Sequence, residues 1–182
     1  MGTLKTIASF LIWTLLSCAN SKNNTTKEII KPIDPFSKID FDKVVAYDFP
    51  VNTDIPFVDT NGVITNTVTK EVMLDSNQII EFKKILTDSA TFGGNQSKDF
   101  YSHFGIVFYK NKKIIQYLEI SLPSNGVFGT FDLPGKNDRD FMEAGFSEKG
   151  RDKIYDFYKN LGFTHCLDKK HWCCQGVIYI AK

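Results

Sequence analysis

The ten residues HCLDKKHWCC, positions 165 to 174, hold two of the chain's three histidines and three of its four cysteines. Imidazole and thiolate are the ligand types that zinc and copper sites use, so His165, Cys166, His171 and Cys173 form a candidate metal set. The spacing suits such a site poorly. Structural zinc sites pair ligands a few residues apart, and the vicinal Cys173 and Cys174 do not readily reach two corners of one tetrahedron. A disulfide fits better in an exported chain, because oxidising compartments preserve such bonds. Cys166 joined to Cys173 or Cys174 would close a short loop contributing about 2 kcal/mol. Strand alternation turns Cys173 and Cys174 to opposite faces, so only one of them should point toward Cys166 and an odd thiol remains. Reduced, partly buried cysteines are the third reading, and all three stay open at this point.

Other chemistry is sparse. The sequence carries no G-x-S-x-G, no H-E-x-x-H and no glycine-rich phosphate loop. His103, at the start of an apolar run, could serve as a base, but an isolated histidine there more often has a structural role or lies exposed. Gly93-Gly94 reads as a loop hinge. Asp138, Asp140 and Glu143 read as a solvated acidic loop, since NDRDFME lacks the calcium-loop pattern of an EF-hand. No residue is assigned a catalytic role, and no cofactor is expected.

Charge excludes a further class. Twenty-two basic residues face 21 acidic ones, a formal balance of +1 without a basic footprint, so nucleic acid is not an expected partner. The N-terminus is more informative. MGTLK carries one lysine, and the ten-residue apolar run IASFLIWTLL follows it before Ser17-Cys18. That run is too short to span a bilayer and has the layout of a secretory signal peptide over residues 1–17. Leu15-Leu16-Ser17-Cys18 resembles the lipobox of bacterial lipoproteins. The resemblance implies cleavage before Cys18 and acylation of its thiol and new amino group, which gives a stable membrane anchor. No Asp follows Cys18, which points to the outer membrane, and no acidic run follows it, which favours the periplasmic side. Cleavage removes Lys5 and leaves the mature chain 21 residues of each sign. Residues 18–33, polar and rich in Asn, Thr, Ser and Lys, read as a lipidated flexible tether.

One domain, residues 34–182, must then position whatever site exists, and its length suits a single core. Val44 to Tyr47 has strand character, and Ile55 to Asp59 reads as a second short strand limited by Pro56. Asn61-Gly62 signals a tight turn. Beyond it, VITNTVTKEVML reads as one long strand with Ile64, Val68, Val72 and Leu74 on one face. Asp75 and Gln78 match a capping box that opens a helix through Ile79, Phe82 and Leu86, ending before Gly93. FGIVFY and IIQYLEISL, joined at KNKK, predict a hairpin. Val127 to Phe131 adds a strand, and residues 132 to 145 read as a polar loop. Ser147 caps a second helix with the stripe Ile154, Phe157, Tyr158 and Leu161, stopped at Gly162. GVIYIAK closes the chain as a strand. The pattern predicts an α+β fold, an antiparallel sheet of five to six strands with two helices packed on one face.

DFYSHFGIVFYKNKKIIQYLEISL followed by FSEKGRDKIYDFYKNLGF resembles a group of uncharacterised lipoproteins from Bacteroidota, over roughly residues 72 to 163. The members carry cysteines at positions that read Phe100, Ser121 and Ser124 here, so no thiol role carries over. Asp88-Ser89-Ala90 similarly resembles the short O-glycosylation acceptor motif of exported Bacteroidota proteins. Together these readings predict an outer-membrane lipoprotein that works as a non-enzymatic binding module for a protein or glycan partner in the envelope. The alternative is a metal-binding or redox-active protein using the C-terminal Cys/His cluster.

Overall fold

In the strand VVAYD, residues alternate between two faces, and both faces find apolar partners. The computed structural model describes residues 34–51, 56–65, 67–133, 135–136 and 145–172. The expected signal peptide, Cys18, the tether, Asp138, Asp140, Glu143, Cys173, Cys174 and the closing GVIYIAK lie outside them. In chain order come β1 (Lys43–Asp48), β2 (Lys70–Met73), α1 (Ser76–Thr87), β3 (Phe92–Gly94), β4 (Phe104–Lys110), β5 (Lys113–Ser121), β6 (Gly126–Gly129), β7 (Gly145–Phe146) and α2 (Glu148–Asn160). Five strands form one sheet in the order β2-β1-β4-β5-β6, and β3 pairs β7 in a second, two-stranded sheet. Every pairing is antiparallel, and the fold is α+β as the sequence predicts. Among the described residues no helix is long and apolar enough to cross a membrane.

Local chemistry explains the element ends. Asp75 accepts from the Gln78 amide at 2.9 Å while the Gln78 side chain accepts from the Asp75 amide at 2.9 Å, a complete capping box opening α1. The Ser147 hydroxyl accepts from the Gly150 amide at 3.0 Å and opens α2. Gly162, at φ +71, ends it in the left-handed region that glycine enters without steric cost. The β4–β5 hairpin turns on Asn111 and Lys112, whose φ values of 51 and 66 match the twist of paired strands.

Val44, Ala46, Phe104, Ile106, Phe108, Leu118, Ile120 and Val127 alternate onto the inner face, and they share one core with Phe82, Ile85 and Leu86 of α1 and Ile154, Phe157 and Tyr158 of α2. Phe104 touches Phe157, Tyr158 and Phe163. Truncating such a ring costs about 3–5 kcal/mol. The outer face carries a smaller cluster of Val45, Tyr47 and Val107 under Phe49 and Phe57. Phe57 lies so close over Gly105 that a Cβ there would sit 2.3 Å from the ring. Glycine at this strand position is what lets the ring lie on the sheet.

Two expectations need correction. VITNTVTKEVML is not one strand: only Lys70–Met73 pairs with β1, and Ile64 makes an isolated bridge to Val58. Ile64 and Val68 pack in the outer cluster whereas Val72 and Leu74 pack against the inner one, so the segment changes faces instead of keeping to one. Gly93-Gly94 is not a hinge; it belongs to β3. A Cβ at Gly94 would stand 2.0 Å from the Phe146 carbonyl oxygen, so Gly94 serves close backbone approach to β7, while Gly93 takes a positive φ of 119.

Candidate functional site

Asp48 closes β1, and alternation from Val44 and Ala46 carries it onto the inner face, where it is 2 % exposed. An ionised carboxyl there demands donors. Tyr158 of α2 donates its hydroxyl to Oδ1, the Thr164 amide donates to Oδ2 at 3.0 Å, and His165 Nδ1 lies 2.9 Å from Oδ1. Burial works against the charge, but the hydrogen bonds from Tyr158, Thr164 and His165, with the His165 charge, hold the Asp48 pKa below the usual carboxylate value. Burial and the accepting carboxylate push the Tyr158 hydroxyl far up, so it stays a donor. β1, α2 and the segment after α2 are thereby fastened to one side chain. Lys70, paired across from Asp48 on β2, reinforces the same junction by donating to the carbonyls of Leu161 and Gly162 at 3.0 and 2.8 Å.

A carboxylate only accepts, so the Asp48 contact assigns the His165 proton to Nδ1 and leaves Nε2 as the ring's remaining nitrogen. The His165 side chain is 28 % exposed. Cys166 follows with φ 57 and a free thiol. Burial first, then the nearby Asp48 charge, push that thiol up to about 11, so it stays protonated at neutral pH and is a poor nucleophile. His103 is fully buried, edge-to-face with Tyr158 at 5.3 Å, and neither ring nitrogen finds a partner among the described residues. Burial holds its pKa down to about 3, against the opposing pull of Asp48.

The expected metal and disulfide residues are only partly in view. His165 and Cys166 are described; His171 falls in a short 3-10 turn, Lys169–His171, with its side chain outside the described residues, as are Cys173 and Cys174. Among the described residues no group of three or more His, Cys, Asp or Glu is placed to hold a metal ion. The local closure that is visible is a hydrogen bond rather than a sulfur bridge: Trp172 Nε1 donates to the Cys166 carbonyl at 2.7 Å. Arg151 stacks over the Trp172 ring at 4.4 Å. Asp88 of the Asp88-Ser89-Ala90 motif pairs with Lys153 at 2.7 Å and accepts from the Ala90 amide at 2.9 Å.

The outer face holds a second carboxyl of different character. Glu119 sits on β5 opposite Gly105 of β4 and Phe128 of β6. Its polar contact among the described residues is the Ser102 hydroxyl, donating at 2.7 Å. Burial raises the Glu119 pKa and the Ser102 bond only partly offsets that. Aromatic rings surround this position: Phe57 over Gly105, half-buried Tyr117 edge-to-face with Phe57, and Phe128, 46 % exposed, meeting Phe100 at 4.5 Å. Lys136 lies 4.5 Å over the Phe128 ring and donates to the Val127 carbonyl on the outer edge of β6.

Reading the sequence for His and Cys missed both carboxyls. The available signal was alternation, since Asp48 continues the Val44-Ala46 face and Glu119 continues the face of Tyr117. Compared with protein families, curated proteins and solved structures, the chain finds no match among any of the three.

Proposed function

We propose that the chain is an outer-membrane lipoprotein, anchored through Cys18 and facing the periplasm, whose folded part is a non-enzymatic binding module for a protein or glycan partner. The observation that carries this reading is the outer sheet face, where the 46 % exposed Phe128 ring meets Phe100 and stands opposite the half-buried Glu119. Single exposed apolar residues are ordinary; rings grouped beside a carboxyl that has few partners suit recognition. On the inner face, by contrast, Asp48 is committed to holding the chain together. One feature works against the redox alternative: Cys166 favours the protonated thiol.

Site-specific photocrosslinking in the full-length chain in cells tests this directly. A photoreactive phenylalanine analogue at Phe128, Met73, Val63 or Ile80 is expected to give a discrete adduct from at least one position. Adducts from none would sink the binding-module reading. Cys18→Ala should move the protein from the membrane to the soluble fraction, and intact-mass analysis showing stoichiometric metal would favour the alternative.

A further inference from the structure

We propose that the outer face around Glu119 is the docking point for a cationic side chain, a lysine or arginine presented by a partner protein; this rests on the binding-module reading. Glu119 is a half-buried carboxyl whose polar contact among the described residues is one serine hydroxyl. Its cross-strand neighbours bring no charged donor: Gly105 lies under the buried Phe57 ring, and Phe128 stands opposite, exposed, with Phe100 beyond. Ring faces carry negative potential, so a cation brought here is attracted by the exposed Phe128 ring and by the carboxylate together. An arginine adds planar, two-pronged donation to the carboxylate oxygens.

Charge complementarity selects the occupant. A neutral ligand would leave the partly desolvated carboxylate without a counter-charge, and the raised pKa of Glu119 reflects that condition. The chain's own nearby cation is already engaged, because Lys136 donates to the Val127 carbonyl while lying over Phe128. That contact also blunts β6, whose outward carbonyl would otherwise invite an added strand. A partner therefore meets the face of the sheet with a side chain, not its edge with a backbone.

The probes are N-acetylarginine amide, N-acetyllysine amide and, as a neutral contrast, N-acetylglucosamine, titrated into the full chain in detergent. Carboxyl and aromatic NMR signals report the site. Both cationic amides are expected to shift Glu119 and Phe128 with one common, salt-sensitive Kd, and Glu119→Gln should weaken it by about tenfold or more. Phe128→Leu, which keeps an apolar side chain at an exposed position, should weaken it by a few-fold and guards against misfolding of the first variant. Equal binding by the wild type and Glu119→Gln overturns the proposal, as does a saturable response to the sugar with none to the amides. If crosslinks form at Met73 or Ile80 and Glu119→Gln leaves them intact, the binding module stands and the cation site falls. If the amides bind at Glu119 while no position crosslinks, the face takes small cations only, and the partner-docking proposal falls with the module reading.

Discussion

Asp48 and Glu119 occupy neighbouring rungs of the same sheet, one opposite Phe104 and the other opposite Gly105, and they point to opposite faces. Burial penalises the charge of both. Asp48 receives Tyr158, His165 and the Thr164 amide and ends below the usual carboxylate pKa; Glu119 receives Ser102 and ends above it. The sign of each shift is thus decided by the supply of donors, not by depth. A carboxyl satisfied from within acts as a fastener, whereas one satisfied only in part retains capacity for something outside the chain.

The largest expected effect tests that contrast directly. Asp48→Asn withdraws the charge from three contacts that join β1, α2 and the segment after it, and should cost about 3 kcal/mol in urea unfolding. Glu119→Gln should change stability by no more than about 0.5 kcal/mol, because among the described residues the Ser102 bond is the one hydrogen bond altered. Equal losses for the two variants would erase the distinction between fastener and open group.

Titration separates the two faces next. His103 has a folded pKa of about 3 against an ordinary 6.5, so the unfolded chain binds the extra proton between those values. Its contribution is complete above pH 6.5 and is lost as pH falls toward 3, with a total on the order of a few kcal/mol. Asp48, held below its ordinary 3.8, adds a further loss at the acid end of that range. Glu119 runs the other way. Its folded pKa is raised above an ordinary 4.5, so its contribution is present below that value and is lost as pH rises through the folded pKa. Unfolding free energies measured from pH 7 to 3 should therefore fall, His103→Phe should flatten the fall between pH 6.5 and 3, and Glu119→Gln should steepen it above pH 4.5, where the native carboxyl opposes it. An unchanged slope in His103→Phe would mean that the buried imidazole is not the acid-sensitive group.

Legibility in the sequence followed range. The Asp75–Gln78 box, the Ser147 cap, the Gly162 stop and the Asn111-Lys112 hairpin are set within a few residues, and propensity alone finds them. The Asp48 junction joins residues 110 and 116 positions apart, and no local pattern encodes such a meeting. Periodicity misled at VITNTVTKEVML, because a period of two fits a segment that changes faces as well as one that keeps to a single strand. HCLDKKHWCC drew attention by composition. Its first residue joins the junction as a donor from His165 Nδ1 to a carboxylate, while Cys173 and Cys174 lie outside the described residues.

Gly105→Ala is a smaller, local test of the outer face. The added Cβ would stand 2.3 Å from Phe57, and the ring must lift. We expect a loss of about 1–3 kcal/mol, together with a Glu119 pKa that falls toward its ordinary value as water reaches it. A fall in stability without any movement of the Glu119 titration would show that Phe57 packs beside the carboxyl without controlling its solvation.

The smallest expected effect concerns the inner face. Lys70→Met keeps most of the apolar stem and removes the ammonium that donates to the Leu161 and Gly162 carbonyls at the end of α2. A cation at a helix C-terminus contributes about 0.3–1 kcal/mol, so the urea midpoint should shift only slightly. Amide exchange should quicken at Gly162 and Phe163, while Thr164, whose amide is held by Asp48, stays protected. If Lys70→Met instead releases Thr164 and costs as much as Asp48→Asn, then the ammonium and the carboxylate act as one unit. Asp48 would in that case fasten the chain only with the help of a charge from the adjacent strand.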